Sequence, residues 1–208
     1  MDVEVKEVPR RRRSPLRLIL DTSVFTNPDV YRAFGDNPTE ALKAFSTLAA
    51  KTEEIEFFMP ISIYENELKK FISPADIPPD FYRTIQKKSP RMHGMNVPAT
   101  LLYELIHDVR VRVDKGLRIA EKAVRESLKF SHDEAKAIAT LRKKYKEALR
   151  EGIIDSKEDV ELILLAMELD GTVVTADSGI LAWVKELGIR WLHASRLKGV
   201  LEASVQKR

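Results

Sequence analysis

Apolar positions along the chain follow two periods, and their order suggests an α/β protein. Short runs of branched apolar residues, Arg17-Leu-Ile-Leu20, Phe57-Phe58-Met59, Thr172-Val-Val-Thr175 and Ile189–Leu192, read as strands of a parallel sheet. Between them the spacing lengthens to the helical period. Leu42, Phe45, Leu48 and Ala49 form one helical face, and Asn37-Pro38 before them is a helix-start signal. Ser62 is placed to cap a short helix carrying Tyr64, Glu65 and Leu68. Val160 to Leu169 form a further helix that ends in an Asp170-Gly171 turn, and Gly179 to Leu187 another.

The middle of the chain departs from this alternation. Prolines at 74, 78, 79, 90 and 98 mark Ser73 to Pro98 as an irregular connection or short helical pieces. Residues 99–151 then read as two long helices. The first carries Leu102, Leu105, Ile106, Val109 and Val113 and runs past Gly116 towards Phe130; the second starts at the capping box Ser131-His-Asp-Glu134. The expected division is a basic tail at 1–15 with Arg10 to Arg13, an α/β domain from 16–72 and 153–208, and an inserted helical region at 73–152.

Composition narrows the chemistry. The 208 residues include no cysteine, which excludes disulfides, thiolate catalysis and zinc–thiolate sites. No apolar run approaches the ~18 residues of a membrane span, and the first residues lack a signal-peptide core, so the expected compartment is the cytoplasm. The net charge of +3 is modest, but base is concentrated on the helical pair, including Arg142, Lys143, Lys144 and Lys146. Such a face is either a solvated hairpin or a grip for phosphates.

The acids occupy element junctions. Asp21 follows the first strand, Asp177 follows Thr175, and Asp155 and Asp159 lie one turn apart at a helix start. Three of them have a plain structural role open: Asp21 and Asp177 as turn or helix caps, Asp159 within the capping box Ser156-Lys-Glu-Asp159. Together, at the carboxyl ends of parallel strands, they form an acidic cluster suited to a hard divalent cation. Glu65 is a further candidate, with Glu67 beside it equivalent by sequence. The histidines show no paired ligand spacing, and Trp183 and Trp191 read as core anchors.

Leu-Ile-Leu-Asp21-Thr-Ser, Glu65, Asp159 with Ala166, and Thr175-Ala-Asp177 resemble the PIN nuclease superfamily. With Asp155, the inserted basic hairpin and Trp191-Leu-His-Ala-Ser-Arg, the chain resembles the minimal protein-only ribonuclease P family, whose members were formerly labelled RNA ligase partner proteins. The resemblance implies a three-layer fold with a central parallel sheet, dependence on Mg²⁺ or Mn²⁺, and removal of the 5′ leader from precursor tRNA. It implies a large homo-oligomer built through the hairpin, and it puts the acidic site on Asp21, Asp155, Asp159 and Asp177. The alternatives are another PIN-type nuclease, toxin-like or rRNA-processing, and a non-catalytic RNA-binding partner of an RNA ligase.

Overall fold

The structure, a computed structural model, describes residues 14–127, 134–150 and 156–206. The arginine run at 10–13, the start of the capping box at Ser131 and the candidate acid Asp155 lie outside the described residues. Five parallel strands form one sheet in the order β3-β2-β1-β4-β5: β1 Leu16–Leu20, β2 Ile55–Met59, β3 Ile85–Lys87, β4 Thr172–Thr175 and β5 Trp191–His193. The central strand β1 is flanked on both sides, so Leu18, Ile19 and Leu20 are all buried and the strand reads as a continuous apolar run. The expected α/β architecture with a central parallel sheet is borne out.

The connections fix which end of the sheet matters. After β1 come two short helical turns, α1 (Ser23–Thr26) and α2 (Pro28–Tyr31), and then α3 (Pro38–Ala49). The Asn37 side chain accepts the Glu40 N–H at 2.9 Å, the cap expected from Asn-Pro. Phe45 of α3 meets Phe25 and Phe57 edge-on, with centroids 5.2 and 5.5 Å apart, which ties α3 to α1 and β2.

Beyond β2 the helix is irregular: α4 (Ile61–Ile63), a π-helical turn over Tyr64–Leu68, and α5 (Lys69–Phe71). Its cap position is Pro60, and Ser62 instead donates to Glu161 at 2.6 Å, so the expected serine cap is replaced by a link between helices. A helix α6 (Pro79–Thr84) precedes β3. Three residues of ladder, Phe57 to Ile85 through Met59 to Lys87, were hidden within the proline-rich stretch. The signal is only three residues long, and one face alone is buried.

The helical insertion comprises α7 (Ala99–Ser127) and α8 (Glu134–Arg150), packed against each other. At their contact a Cβ on Gly116 would stand 2.5 Å from the Tyr145 ring, so glycine allows the close approach. The hairpin meets the α/β body where the Trp183 indole donates to Asp108 at 3.1 Å. The chain then forms α9 (Lys157–Leu169), β4, α10 (Ser178–Glu186), β5 and a last helix α11 (Leu197–Gln206). Helix α9 ends at Asp170 in the left-handed region, φ 47°, and the Gly171 N–H returns to the Ala166 carbonyl at 2.8 Å.

Two details differ from expectation. Trp183 is buried as an anchor, but Trp191 is 41% exposed, because β5 is an edge strand and Lys185 lies over its ring at 4.9 Å. The last strand starts two residues late, because Gly188 turns with φ 65° and the Ile189 N–H still bonds Val184 of α10. Among the described residues no helix is long and apolar enough to cross a membrane.

Candidate active site

The sheet has its switch point between β1 and β4. From β1 the chain crosses to β2, while β4, which enters much later, pairs on the other side of β1. The crevice outside the carboxyl ends of those two strands is where the fold places a ligand. Asp21 follows β1, and Asp177 lies two residues beyond the end of β4.

Asp21 is buried, and both its oxygens are held. Its Oδ1 accepts the Thr22 N–H at 2.7 Å, and its Oδ2 accepts hydroxyls from Ser23 at 2.5 Å and Thr175 at 2.6 Å. The Thr175 hydroxyl accepts the Asp177 N–H at 2.9 Å, so one side chain fixes both strand-end acids. Ser23 Oγ likewise accepts the Ala176 N–H at 2.9 Å. Asp177 caps α10: its Oδ1 accepts Gly179 N–H at 2.7 Å and Ile180 N–H at 3.0 Å. Its Oδ2 has no protein donor among the described residues. The capping role and the site role therefore fall on different oxygens.

The helix-borne acids complete the arrangement. Ser156 caps α9 by accepting the Asp159 N–H at 3.0 Å, so the serine side chain provides the cap. The Asp159 carboxyl feels Asp21, Glu67 and Asp177. Glu67 accepts the Thr22 hydroxyl at 2.5 Å, which draws it to the tip of β1. Glu65 is exposed and pairs with Lys69 on its own helix. The acid that faces the site is therefore Glu67, not Glu65. Two residues apart, they face opposite sides of the helix, and Glu67 shares the side of the buried Ile63, Tyr64 and Leu68. The spacing of Ile63, Tyr64 and Leu68 carries that side of the helix, and the contact with Thr22 ties it to the site.

The field of the site is strongly anionic. Burial pushes the Asp21 carboxyl above its ordinary range against the lowering effect of its three hydrogen bonds, and repulsion from Asp177 adds to the rise. Burial likewise raises Glu67; its bond from Thr22 opposes this, and Asp21 and Glu158 reinforce it. Asp159 rises to about 6, first from burial, then from Asp21, Glu67 and Asp177, with Ser156 opposing. Carboxylates crowded in this way favour protons or a cation.

A pH prediction follows for the metal-free protein. Asp159 binds its proton more tightly folded than unfolded, so the stability this carboxyl contributes is full below its unfolded value of 3.8 and is lost as pH rises through about 6. At full strength the shift is worth about 3 kcal/mol, and partial exposure of Asp159 reduces this to roughly 1–2 kcal/mol. In chelator, the Tm is expected to fall between about pH 4 and pH 6.5, and Asp159→Asn to flatten that fall. An unchanged pH slope in the variant would rule out this carboxyl as a source.

The donor set fits a hard cation. Asp21, Glu67, Asp159 and Asp177 offer only oxygen, with no histidine or thiolate among them. Among the described residues no three acidic or histidine side chains are drawn up into a complete metal cage. Mg²⁺ keeps several waters at about 2.0–2.1 Å, so carboxylates that reach it through water need not converge tightly.

The basic residues expected to grip RNA, Arg142, Lys143, Lys144 and Lys146, all lie exposed on α8. Lys143 is matched to Glu147 at 3.9 Å and Lys144 to Glu126 of α7 at 3.6 Å. Arg142 and Lys146, one turn apart, have no carboxylate in ion-pair reach among the described residues.

A parallel sheet with carboxylates gathered at its switch point fits a nuclease of the PIN class. A family profile described as a PINc domain ribonuclease matches residues 17–206. The chain is 52% identical over 193 residues to the RNA-free ribonuclease P of Pyrococcus furiosus, covering 92% of this chain and 96% of that protein. It is 51% identical to that of Thermococcus kodakarensis, over 92% of this chain and 97% of the relative. To the one from Thermodesulfovibrio yellowstonii it is 46% identical, over 93% and 97%. The chain belongs to the RNA-free ribonuclease P family of PIN ribonucleases.

Proposed function

We propose that the protein is a metal-dependent endoribonuclease that removes the 5′ leader of precursor tRNA, using Asp21, Glu67, Asp159 and Asp177, with Asp155, as its acidic site. The observation that carries the reading is the gathering of acids from separate elements, Asp21 buried and Glu67 and Asp159 half-buried, at one sheet edge, in a chain that matches RNA-free ribonuclease P nearly end to end. A scaffold that only held RNA would gain nothing from that destabilising crowd.

Mg²⁺ or Mn²⁺, when bound, neutralises charge on the scissile phosphate and lowers the pKa of a water that attacks it. Asp21 is held rigid by Thr22, Ser23 and Thr175 and serves as the fixed ligand. Asp177 keeps one oxygen for the cap and offers the other. Asp159, at the start of α9 against Asp21, Glu67 and Asp177, would share the cation with them. Glu67 is positioned by Thr22 against the same crevice.

Arg142 and Lys146 hold the RNA backbone. Replacing both with Ala is expected to weaken precursor-tRNA binding and to reduce the slope of log K against log salt by roughly 1–2. An unchanged affinity and slope would leave α8 merely solvated. Copies of the chain assemble through the exposed apolar side of α7 into a large homo-oligomer, and the enzyme works in the cytoplasm.

The decisive experiment incubates the protein with precursor tRNA in Mg²⁺, in Mn²⁺ and in chelator. A shortened tRNA with a 5′-phosphate, formed only with metal, supports the reading. Cleavage elsewhere in the RNA would indicate another PIN activity. Binding without cleavage would indicate an RNA-holding partner.

A further inference from the structure

The carboxyl edge of the sheet continues past the acids towards β3, where the surface becomes basic and aromatic. Tyr64 opens the π-helical turn that carries Glu67, and its hydroxyl lies 2.9 Å from that of Tyr82 in α6. Lys87, the last residue of β3, sets its Nζ 4.0 Å from the centre of the Tyr64 ring and 5.1 Å from that of Tyr82. Tyr64 is buried, but Tyr82 is 45% exposed.

Two observations separate this patch from an ordinary aromatic cluster. Lys87 has no carboxylate in ion-pair reach among the described residues, whereas Lys69 is matched to Glu65 and Lys88 to Glu168. Held over two rings and exposed, its ammonium is fixed in place with its charge still available to an anion. Lys70, in α5, is also exposed and without an ion pair among the described residues, and it acts electrostatically on both Glu67 and Glu158. It follows Glu67 by three residues on the same irregular helix, which puts it on the carboxylate side of the patch.

The topology gives the patch a direction. The hairpin is joined to α10, which follows β4, while β3 is the edge strand on the other side of β1. The acids at the ends of β1 and β4, and Glu67 after β2, lie between. An RNA whose folded body rests on the hairpin side and whose backbone crosses the acids leaves on the β3 side.

From this juxtaposition we infer that Lys70, Tyr82 and Lys87 form a subsite for the single-stranded leader, with Tyr82 stacking on a base and the two lysines holding flanking phosphates. The inference rests on the precursor-tRNA reading of the acidic site. Stacking on an exposed ring tolerates any base, because each base has a π-face, so the subsite recognises an unpaired strand and not a sequence.

The test compares two precursor tRNAs that differ only in leader length, about ten nucleotides against one. Wild-type enzyme is expected to show a KM roughly tenfold lower for the long leader, the effect of about one stacked base and its phosphates. Tyr82→Ala and Lys87→Ala should each erase most of that preference. Tyr82→Phe, which keeps the ring and loses only the hydroxyl bond to Tyr64, should restore it. A preference that survives both alanine variants, or a parallel loss on both substrates, overturns the subsite. Lys87 is on the surface, so its variant reads the subsite even if Tyr82→Ala loosens the fold. A wild type that cleaves neither substrate with metal present overturns the precursor-tRNA reading itself, and does so before any variant is made.

Discussion

Asp21→Asn and Asp177→Asn are each expected to lower precursor-tRNA cleavage by about a hundredfold to a thousandfold, the equivalent of several kcal/mol of lost transition-state stabilisation. The fold should survive both changes. At Asp21, Asn keeps an acceptor for the Thr22 N–H, and the Ser23 and Thr175 hydroxyls can rotate to accept from its amide. The substitution also removes a buried charge whose desolvation is unfavourable. At Asp177, Asn caps a helix as well as Asp does. A companion pair tests the assignment on the π turn: Glu67→Gln should impair cleavage, and Glu65→Gln should only remove an exposed ion pair with Lys69. Near-wild-type rates in Asp21→Asn and Asp177→Asn, measured with metal present and with folding verified by circular dichroism, would sink the acidic site.

The second large effect concerns assembly. Leu102 and Val113 are each 61% exposed, and Leu105, Ile106 and Val109 between them are exposed as well. So long a run of apolar side chains on one helix exceeds what a soluble monomer ordinarily leaves in water. Each side chain fully buried in an interface contributes about 1.5–3 kcal/mol, and self-association repeats the contribution on both partners. Leu105→Glu with Val109→Glu is therefore expected to convert the assembly to small species in sedimentation or solution scattering, with helix content unchanged. A strictly monomeric wild type would remove the premise. The exposed α7 surface is the observation that calls for a cover.

Much of this architecture could be read from local chemistry. A β-branched run that ends in Asp, an Asn-Pro helix start, and a serine three residues before Asp159 act over a few residues, so β1, β4, α3 and α9 lie where the sequence put them. What failed was of two kinds. Strand β3 is too short to impose a period, and its partner Phe57–Met59 comes from distant sequence. Trp191 was assigned to the core by its size, yet exposure depends on whether a strand lies at a sheet edge, and that is a property of the whole sheet.

By itself the sequence determined which acids stand at element ends. A carboxylate after a strand or before a helix is placed there by chain connectivity, whatever the rest of the protein does. Only the tertiary structure decided which of them meet. Asp21 and Asp177 are 156 residues apart, and they come together because β4 pairs with β1 and Thr175 bridges them. The choice of Glu67 over Glu65 belongs to the tertiary structure as well. It turns on which side of the helix meets β1 and on the Thr22 hydroxyl at the tip of that strand.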